Sequence, residues 1–215
     1  LPNHGPISLF YFQGDEVRLA FIAAIKVYHR YTCIRFIPRK TERNYIYVVS
    51  EGGCWSYIGK SGGKQKLSLG PGCEYKGTAI HEIMHALGFF HEQSRRDRDS
   101  YITIHLENIV PGVRHNFDKY PHGKADYLNA QYDYGSIMHY PEYAFSENGK
   151  KTIVPIRPGV IIGQRRGLSS IDIQQINTLY SCNSGGYECT QEPISRSVHT
   201  RHWVVSQRFS QMWLF

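Results

Sequence analysis

The segment from His81 to His91 constrains this chain more than any other part of its sequence. It reads HEIMHALGFFH, so that the second histidine, His85, follows the first by four residues. Side chains four residues apart on an α-helix lie one above the other, and the first two imidazoles can therefore share one ion. Gly88 permits the sharp backbone turn that would bring the third imidazole to the same point from outside the helix. The pattern predicts a metal site formed by His81, His85 and His91.

The number and type of these ligands indicate catalysis. Three imidazoles around a zinc ion leave a fourth position for water, which is the arrangement of a catalytic rather than a structural site. Zinc lowers the pKa of such a water to about 7. Glu82 directly follows the first histidine, and a carboxylate there can take the proton of that water and deliver it to a leaving amine. The sequence therefore predicts amide hydrolysis with Glu82 as general base. The alternative, ordinary histidines on an amphipathic helix, requires all three to fall in this register by chance.

The extended motif resembles that of the astacin family of zinc metallopeptidases, a branch of the metzincins. Glu92 follows the third histidine as a glutamate does in that family, and the segment 136–140, SIMHY, is similar to the family's Met-turn. The resemblance covers about residues 7–182. It implies that Met138 lies beneath the metal, although an isolated methionine would be assigned to core packing. It also implies that Tyr140 is a retractable metal ligand that swings to stabilise the transition state.

The same resemblance implies a fold and its cross-links. The fold is a two-lobed, metzincin-like α+β catalytic domain. A twisted sheet, an opening helix and the zinc helix form the first lobe, and the largely irregular second lobe ends in a helix. Substrate is expected to lie extended in the groove between the lobes. The two disulfides of the family correspond to Cys33 with Cys182 and to Cys54 with Cys73.

Two further roles follow from the resemblance alone. In the family, the edge strand at Trp55, Ser56 and Tyr57 pairs with extended substrate, a form of strand addition. The aromatic side chains of this strand fit ordinary packing equally well. The free amino terminus of family members folds inside to meet the glutamate after the third histidine, which makes Glu92 the expected salt-bridge partner of an amino terminus. Leu1 to Gly5 do not resemble the corresponding family segment.

Three helices are predicted from hydrophobic periodicity and end signals. The first is capped by Asp15 and runs to about Tyr31. Its predicted buried face consists of Val17, Phe21, Ala24, Ile25 and Tyr28. The second begins near Thr78 and stops at Gly88. The third opens at Ser169 and is expected to bury Ile173, Ile176, Leu179 and Tyr180.

Strands are predicted where branched and aromatic residues concentrate between turn residues. The predicted segments are 33–37, 45–49, 54–58 and 65–69. The stretch 95–141 has no clear periodicity and is expected to be mostly irregular. A long irregular stretch in a compact domain indicates a functional or wrapping segment.

Composition excludes several other classes of protein. The 215 residues, 41% of them hydrophobic, suffice for one good-sized core or two small lobes that share a cleft. The net charge is +7, but lysine and arginine are scattered, and one of the tightest groupings is interleaved with Asp97 and Asp99. No nucleic-acid partner is expected. The sequence has no run of 18 apolar residues, so no membrane-spanning helix is expected.

The cysteines indicate an oxidising compartment. They lie at 33, 54, 73, 182 and 189, and no two form the CxxC spacing of a cysteine-rich zinc module. Disulfides are expected instead, which predicts a secreted, extracellular protein. Residues 1–6 lack the features of a secretory leader, and we therefore expect a processed form. Five is an odd number, and Cys189, left over by the family pairing, is expected to be free or to pair with another chain.

The predicted domain organisation is a catalytic domain over 1–182 and a tail over 183–215. The tail follows a linker-like Asn-Ser-Gly-Gly break and is expected to be poorly ordered, with no membrane contact. A less favoured alternative is an amphipathic helix that packs on the domain or on a membrane.

Two other functions stay open beside that of a zinc endopeptidase acting on proteins or peptides. One is a binding protein that keeps the metal site but does not cut. The presence of every residue that the chemistry needs argues against this function. The other is a structural zinc protein. Such a site would need a fourth protein ligand in place of water, and we find none nearby in the sequence other than Tyr140.

Overall fold

The computed structural model describes residues 7–10 and 14–182 of the chain. The first six residues and the tail 183–215, which includes Cys189, lie outside the described residues, so the predictions made for them stay predictions. Within the described part, every helix is too short or too polar to cross a lipid bilayer.

The first lobe combines a mixed sheet with two helices. Its elements are β1 (Ile7–Phe10), α1 (Asp15–Tyr31), β2 (Phe36–Pro38), β3 (Tyr45–Val49), β4 (Cys54–Ser56), β5 (Lys64–Leu69) and α2 (Lys76–Ala86). In the described residues the sheet has five strands in the order β2-β1-β3-β5-β4. The strand β4 runs antiparallel to β5, and the other neighbours are parallel. The α+β class and the first-lobe architecture are as predicted.

The opening helix α1 has the predicted bounds but not the predicted cap. Gly14 is the N-cap, and no side chain caps the helix. Asp15 instead begins the helix, where its carboxylate can still interact favourably with the helix dipole. The buried face consists of Val17, Ala20, Phe21, Ala24 and Tyr28. The predicted Ile25 is half-buried.

Strand bounds depend on pairing partners, and this dependence explains the errors in the prediction. The segment 33–37 was expected as a strand, but β2 begins at Phe36, which pairs with Ile7, the first described residue of β1. Likewise β4 ends at Ser56, the last residue paired with β5. The strand β1 itself was not predicted.

The sheet has one buried and one exposed face, as alternation along its strands requires. Ile46 and Val48 of β3, with Leu67 and Leu69 of β5, are buried in the main core. Both α1 and α2 contribute to the same core, so it lies between the sheet and the helices. The alternate residues of β3 and β5 therefore point to the opposite, outer face.

The second lobe is largely irregular, as predicted. It contains short 3-10 helices, a two-stranded ribbon of β6 (Ile102–Ile104) with β7 (Ile153–Pro155), and α3 (Ser170–Leu179). Neither strand of the ribbon was predicted. A separate apolar cluster fills this lobe and consists of Ile102, Ile109, Phe117, Tyr132, Tyr140, Ile153 and Ile162.

The final helix begins with a reciprocal capping box. The Ser169 hydroxyl accepts a hydrogen bond from the Asp172 amide, and the Asp172 carboxylate accepts one from the Ser169 amide. Ile176 and Tyr180 are buried as expected, and Ile173 is half-buried. The prediction was wrong for Leu179, which is 36% exposed because it lies at the last residue of the helix.

Both implied disulfides are present. Cys33 bonds to Cys182, and Cys54 bonds to Cys73. The first closes a loop with a sequence separation of 149 residues. In the chain-entropy account, a loop of that length stabilises the fold by about 5 kcal/mol.

Candidate metal centre and active site

The end of α2 has the geometry that the sequence predicts. Gly88 has a φ of 105°, and its amide donates to the carbonyl of His85 at 2.8 Å. The amide of Phe89 donates to the carbonyl of Met84 at 3.1 Å. These two bonds form a Schellman motif, whose left-handed residue is normally glycine. The chain thereby leaves α2 and turns back toward the last residues of that helix.

Backbone carbonyls fix the orientation of the first two histidines. Nδ1 of His85 bonds to the carbonyl of Phe89 at 2.8 Å, and Nδ1 of His81 bonds to the carbonyl of Ile137 at 2.8 Å. A carbonyl can only accept, so both Nδ1 atoms carry the proton and both Nε2 atoms keep a lone pair. This is the outer-shell arrangement that orients imidazoles toward a metal.

The three Nε2 atoms converge. Nε2 of His91 lies 3.1 Å from Nε2 of His85 and 3.2 Å from Nε2 of His81. Two nitrogens bound tetrahedrally at the usual zinc distance are about 3.3 Å apart. Lone pairs held this close repel one another unless a cation lies between them. The residues present therefore fit a zinc ion.

Burial keeps these histidines in the form that binds metal. All three are at most 2% exposed. Desolvation lowers the pKa of His85 to about 4 and that of His81 and His91 well below the ordinary value. They are therefore neutral at physiological pH, as metal ligation requires.

Glu82 directly follows His81 in α2, and its carboxylate is buried. Its side chain is 1% exposed, and neither oxygen has a hydrogen-bond partner among the described residues. Burial raises the pKa of this carboxyl to about 8, although the charge of Arg165 acts in the opposite direction. An unpartnered buried carboxylate is costly, and its retention indicates a functional role.

The Met-turn lies against the histidines from the second lobe. Met138 is 1% exposed and belongs to the main core, and its carbonyl accepts the amide of Glu92 at 3.1 Å. The Tyr140 ring centre lies 4.5 Å from that of His91. Burial raises the pKa of the Tyr140 phenol. The turn thus brings both predicted residues to the metal-binding region.

The strand at Trp55 forms one edge of the sheet. It pairs with β5 on one side, and no described strand pairs with its other side. Trp55 is 5% exposed, and its indole donates to the carbonyl of Gly52 at 3.2 Å. Ser56 is buried as well, and Tyr57 contacts the Trp55 ring edge-to-face. For the Trp55 side chain these contacts support the packing alternative, while the strand edge still suits an extended peptide.

Glu92 has partners within the described residues. Its carboxylate accepts the amide of Asp133 at 2.7 Å and lies 3.3 Å from the guanidinium of Arg95. Burial raises its pKa to about 8. Glu92 also lines a cavity of about 470 Å³. The predicted contact with an amino terminus concerns residues outside the described part and stays a prediction.

Two ionic residues that the sequence did not single out, buried Asp172 and half-buried Arg165, support the Met-turn. The Asp172 carboxylate accepts the amide of Ile137 at 2.9 Å and the hydroxyl of Ser136 at 2.7 Å. The guanidinium of Arg165 donates to the carbonyls of Ile137 at 2.9 Å and His139 at 3.1 Å. The capping-box spacing of Asp172 was visible in the sequence, but nothing connected it with a segment 35 residues away.

Close packing holds Arg165 against the start of α2. A Cβ atom at Gly77 would lie 1.7 Å from the carbonyl oxygen of Arg165, so only glycine fits at this position of the helix. The metal-binding helix and the loop that supports the Met-turn are thus in direct contact.

A helical histidine pair, a third histidine beyond a glycine turn and a buried glutamate are the features of a zinc metallopeptidase of the metzincin type. Residues 7–181 match the family model described as Astacin, a peptidase family. The chain belongs to this family. Its cofactor is therefore zinc, and the three grouped histidines form the site that fits it.

Individual relatives agree with this assignment. The chain is 50% identical over 174 residues to zinc metalloproteinase nas-15 of Caenorhabditis elegans, covering 80% of this chain and 30% of that protein. It is 53% identical over 160 residues to nas-13 of the same organism, covering 74% and 36%. The chain thus spans about a third of the length of these curated relatives.

A solved structure supports the fold. The chain is similar to high choriolytic enzyme 1, a hatching enzyme zinc-protease from Oryzias latipes, with a TM-score of 0.79 and 45% identity. The match covers 83% of this chain and 90% of that one. The two-lobed metzincin-like architecture predicted from the sequence is therefore confirmed.

Proposed function

We propose that this chain is the catalytic domain of a secreted zinc endopeptidase that cuts extended protein or peptide substrates. One observation carries the proposal. The Nε2 atoms of three buried histidines converge within 3.1 and 3.2 Å, and Glu82, which directly follows His81 in α2, has a buried carboxylate without a hydrogen-bond partner among the described residues. The proposed ligands are His81, His85 and His91.

Glu82 is the proposed general base and acid. It takes a proton from the attacking water and then delivers it to the nitrogen of the leaving amine. When bound, zinc would polarise the substrate carbonyl and acidify a water molecule. The charged form of Glu82, which accepts the proton, is disfavoured by burial and favoured by the Arg165 guanidinium. No described hydrogen-bond donor competes for the carboxylate.

Tyr140 is the proposed transition-state contact and reversible metal ligand. Its ring packs between the His91 ring and the second-lobe aromatic residues Phe117 and Phe145. Its hydroxyl would stabilise negative charge that develops on the carbonyl oxygen. Met138 supports the site from the core beneath it.

Substrate is proposed to add to the free edge of β4 at Trp55, Ser56 and Tyr57. Main-chain hydrogen bonds there would hold the peptide extended without reading its side chains. The proposed catalytic unit is 1–182, with 183–215 outside it as a tail, and Cys189 is left for a free thiol or another chain. The two disulfides support a location outside the cytosol.

The test is the variant Glu82→Gln, measured with a quenched fluorescent peptide. Zinc content should stay at one ion per chain while the hydrolysis rate falls by at least about a hundredfold. The matched control Glu147→Gln changes an exposed side chain and should retain full activity. A wild-type protein that binds zinc but cuts no protein or peptide would instead favour the binding or structural alternatives.

A further inference from the structure

The positive charge of this chain is concentrated in one segment. Residues 35–66 contain seven lysine and arginine residues and two glutamates, a net charge of +5, whereas the whole chain carries +7. This segment includes β3 and β5, the adjacent parallel strands at the centre of the sheet. In the sequence these cations looked scattered, because Arg39 and Lys64 are far apart along the chain and approach only where Tyr45 of β3, under the Arg39 guanidinium, pairs with Lys64 of β5.

Strand register places two of these cations, Lys64 and Lys66, on the outer face of the sheet. Tyr45 pairs with Lys64, and Tyr47 pairs with Lys66, in the parallel ladder of β3 and β5. The alternate residues of both strands are buried against the helices, so these four side chains point outward. Together with Arg39, they form what we call the basic face.

Aromatic rings hold two of the cations in place. The Lys64 ammonium lies 3.7 Å from the centre of the Tyr47 ring, and the Arg39 guanidinium lies 4.1 Å from that of Tyr45. Such cation–π contacts restrict side chains that would otherwise be mobile on a surface. A binding partner would therefore lose less entropy when it orders them.

The basic face keeps an excess of positive charge. Lys66 pairs with Glu51 at 2.5 Å, and both side chains are more than 40% exposed. Near the face, Lys40 and Arg43 are exposed as well. The charge of Glu51 thus offsets one cation of the basic face, and the other cations keep their positive charge in excess.

We propose that the basic face binds a sulfated polysaccharide. The Cα atoms of Lys64 and Lys66, two residues apart along β5, lie about 6.6 Å apart. With Arg39, which packs on the Tyr45 ring of β3, these two lysines form an array on the face of the sheet rather than a pocket. A flat array of fixed cations complements an extended chain with repeated sulfate groups, because each contact is electrostatic and needs no enclosed cavity. The disulfides favour the oxidising compartment in which such polysaccharides occur.

This inference goes beyond the proposed peptidase activity and does not depend on it. The basic face lies on the side of the sheet opposite α2, which carries the metal-binding histidines. Binding of the polysaccharide should therefore be the same in the Glu82→Gln variant as in the wild type. Loss of hydrolysis and loss of polysaccharide binding can thus be observed separately.

The experiment measures the Kd for immobilised heparin in 0.15 M salt, with the zinc-loaded chain. The double variant Lys64→Gln/Lys66→Gln should raise the Kd by about fivefold or more and elute from heparin at lower salt. The control Lys26→Gln/Lys150→Gln removes the same charge from exposed sites outside 35–66 and should change the Kd by less than about twofold. Hydrolysis of a short peptide should be unchanged in both.

Three results would overturn the proposal. They are no heparin binding by the wild type, equal losses in the two double variants, or tighter binding of a single-stranded oligonucleotide than of heparin. Should Lys64→Gln/Lys66→Gln not fold, as judged by circular dichroism, the single variant Arg39→Gln, at another cation of the basic face, takes its place. It should weaken binding by about twofold, and an unchanged Kd would count equally against the basic face.

Discussion

The carbonyl oxygen of Ile137 accepts a hydrogen bond from Nδ1 of His81 at 2.8 Å. This contact joins the metal-binding helix to the Met-turn of the second lobe, across 56 residues of sequence. The amide of the same residue donates to Asp172 at 2.9 Å. His81 and Asp172 thus bind the carbonyl and the amide of the same residue, Ile137.

The first prediction concerns this chain of contacts. Asp172→Asn should weaken zinc binding by about tenfold, because an amide side chain cannot accept all three hydrogen bonds that the carboxylate receives from Ser136, Ile137 and Ser169. Zinc affinity is measured by competition with a chelator. The control Asp118→Asn alters an exposed carboxylate and should bind zinc like the wild type. Equal affinity in all three proteins would show that Asp172 does not position His81.

A second prediction tests the hydroxyl of Tyr140. Tyr140→Phe keeps the ring that packs on His91 but removes the group proposed to contact the transition state. The value of kcat should fall by about tenfold to a hundredfold, whereas KM should change by less than about threefold. Tyr143→Phe, at a residue that is 54% exposed, is the control. An unchanged kcat in Tyr140→Phe would remove this residue from the mechanism.

A third prediction concerns the turn after α2. Gly88→Ala places a Cβ atom at a φ of 105°, a conformation that costs an alanine about 1 kcal/mol or more. The free energy of unfolding and the zinc affinity should both fall, because the turn positions His85 and His91. Gly112→Ala has no such φ and open space around the new atom, so it should be neutral or slightly stabilising. Similar stability in the two variants would contradict this account.

The fourth prediction is a pH dependence of stability that originates at His29. Its Nε2 accepts the amide of Phe36 at 3.0 Å, which only the neutral ring can do. Burial, followed by the charge of Arg35, lowers the pKa of this imidazole below 6.5. The unfolded chain therefore binds the proton more readily. The stabilisation is complete above about pH 6.5 and is lost as the pH falls toward the lower folded-state value.

The comparison with His29→Gln isolates this contribution. Glutamine offers an acceptor that does not titrate, so the variant should lose less stability than the wild type between about pH 6.5 and 5. Both are measured by urea unfolding of the zinc-loaded protein. Parallel curves over that range would show that His29 does not contribute.

Those parts of the fold that local patterns determine could be predicted from the sequence. The bounds of α1 and β3 were correct, because helical spacing and the run Tyr45–Val49 are visible within a few residues. By contrast, β1 and β7 have only four and three residues and exist because a distant segment pairs with them. The residues within such a short segment do not indicate which distant segment will pair with it.

The same distinction applies to the candidate site. The histidines and Glu82 were found because a helix and one glycine turn fix their relative positions within eleven residues. The positions of Met138 and Tyr140 came from family resemblance rather than from spacing. Arg165 and Asp172 were missed because they contact the Met-turn through the folded backbone, and neither residue type is distinctive by itself.

The bond between Cys33 and Cys182 encloses nearly all of the described chain in a covalent ring, with every proposed metal ligand inside it. A single cut within that ring, for example in the exposed segment 147–150, opens the ring without releasing a fragment. The two pieces would stay joined until a reductant separates them. A nick in this surface loop would thus leave every proposed metal ligand in one covalently joined molecule.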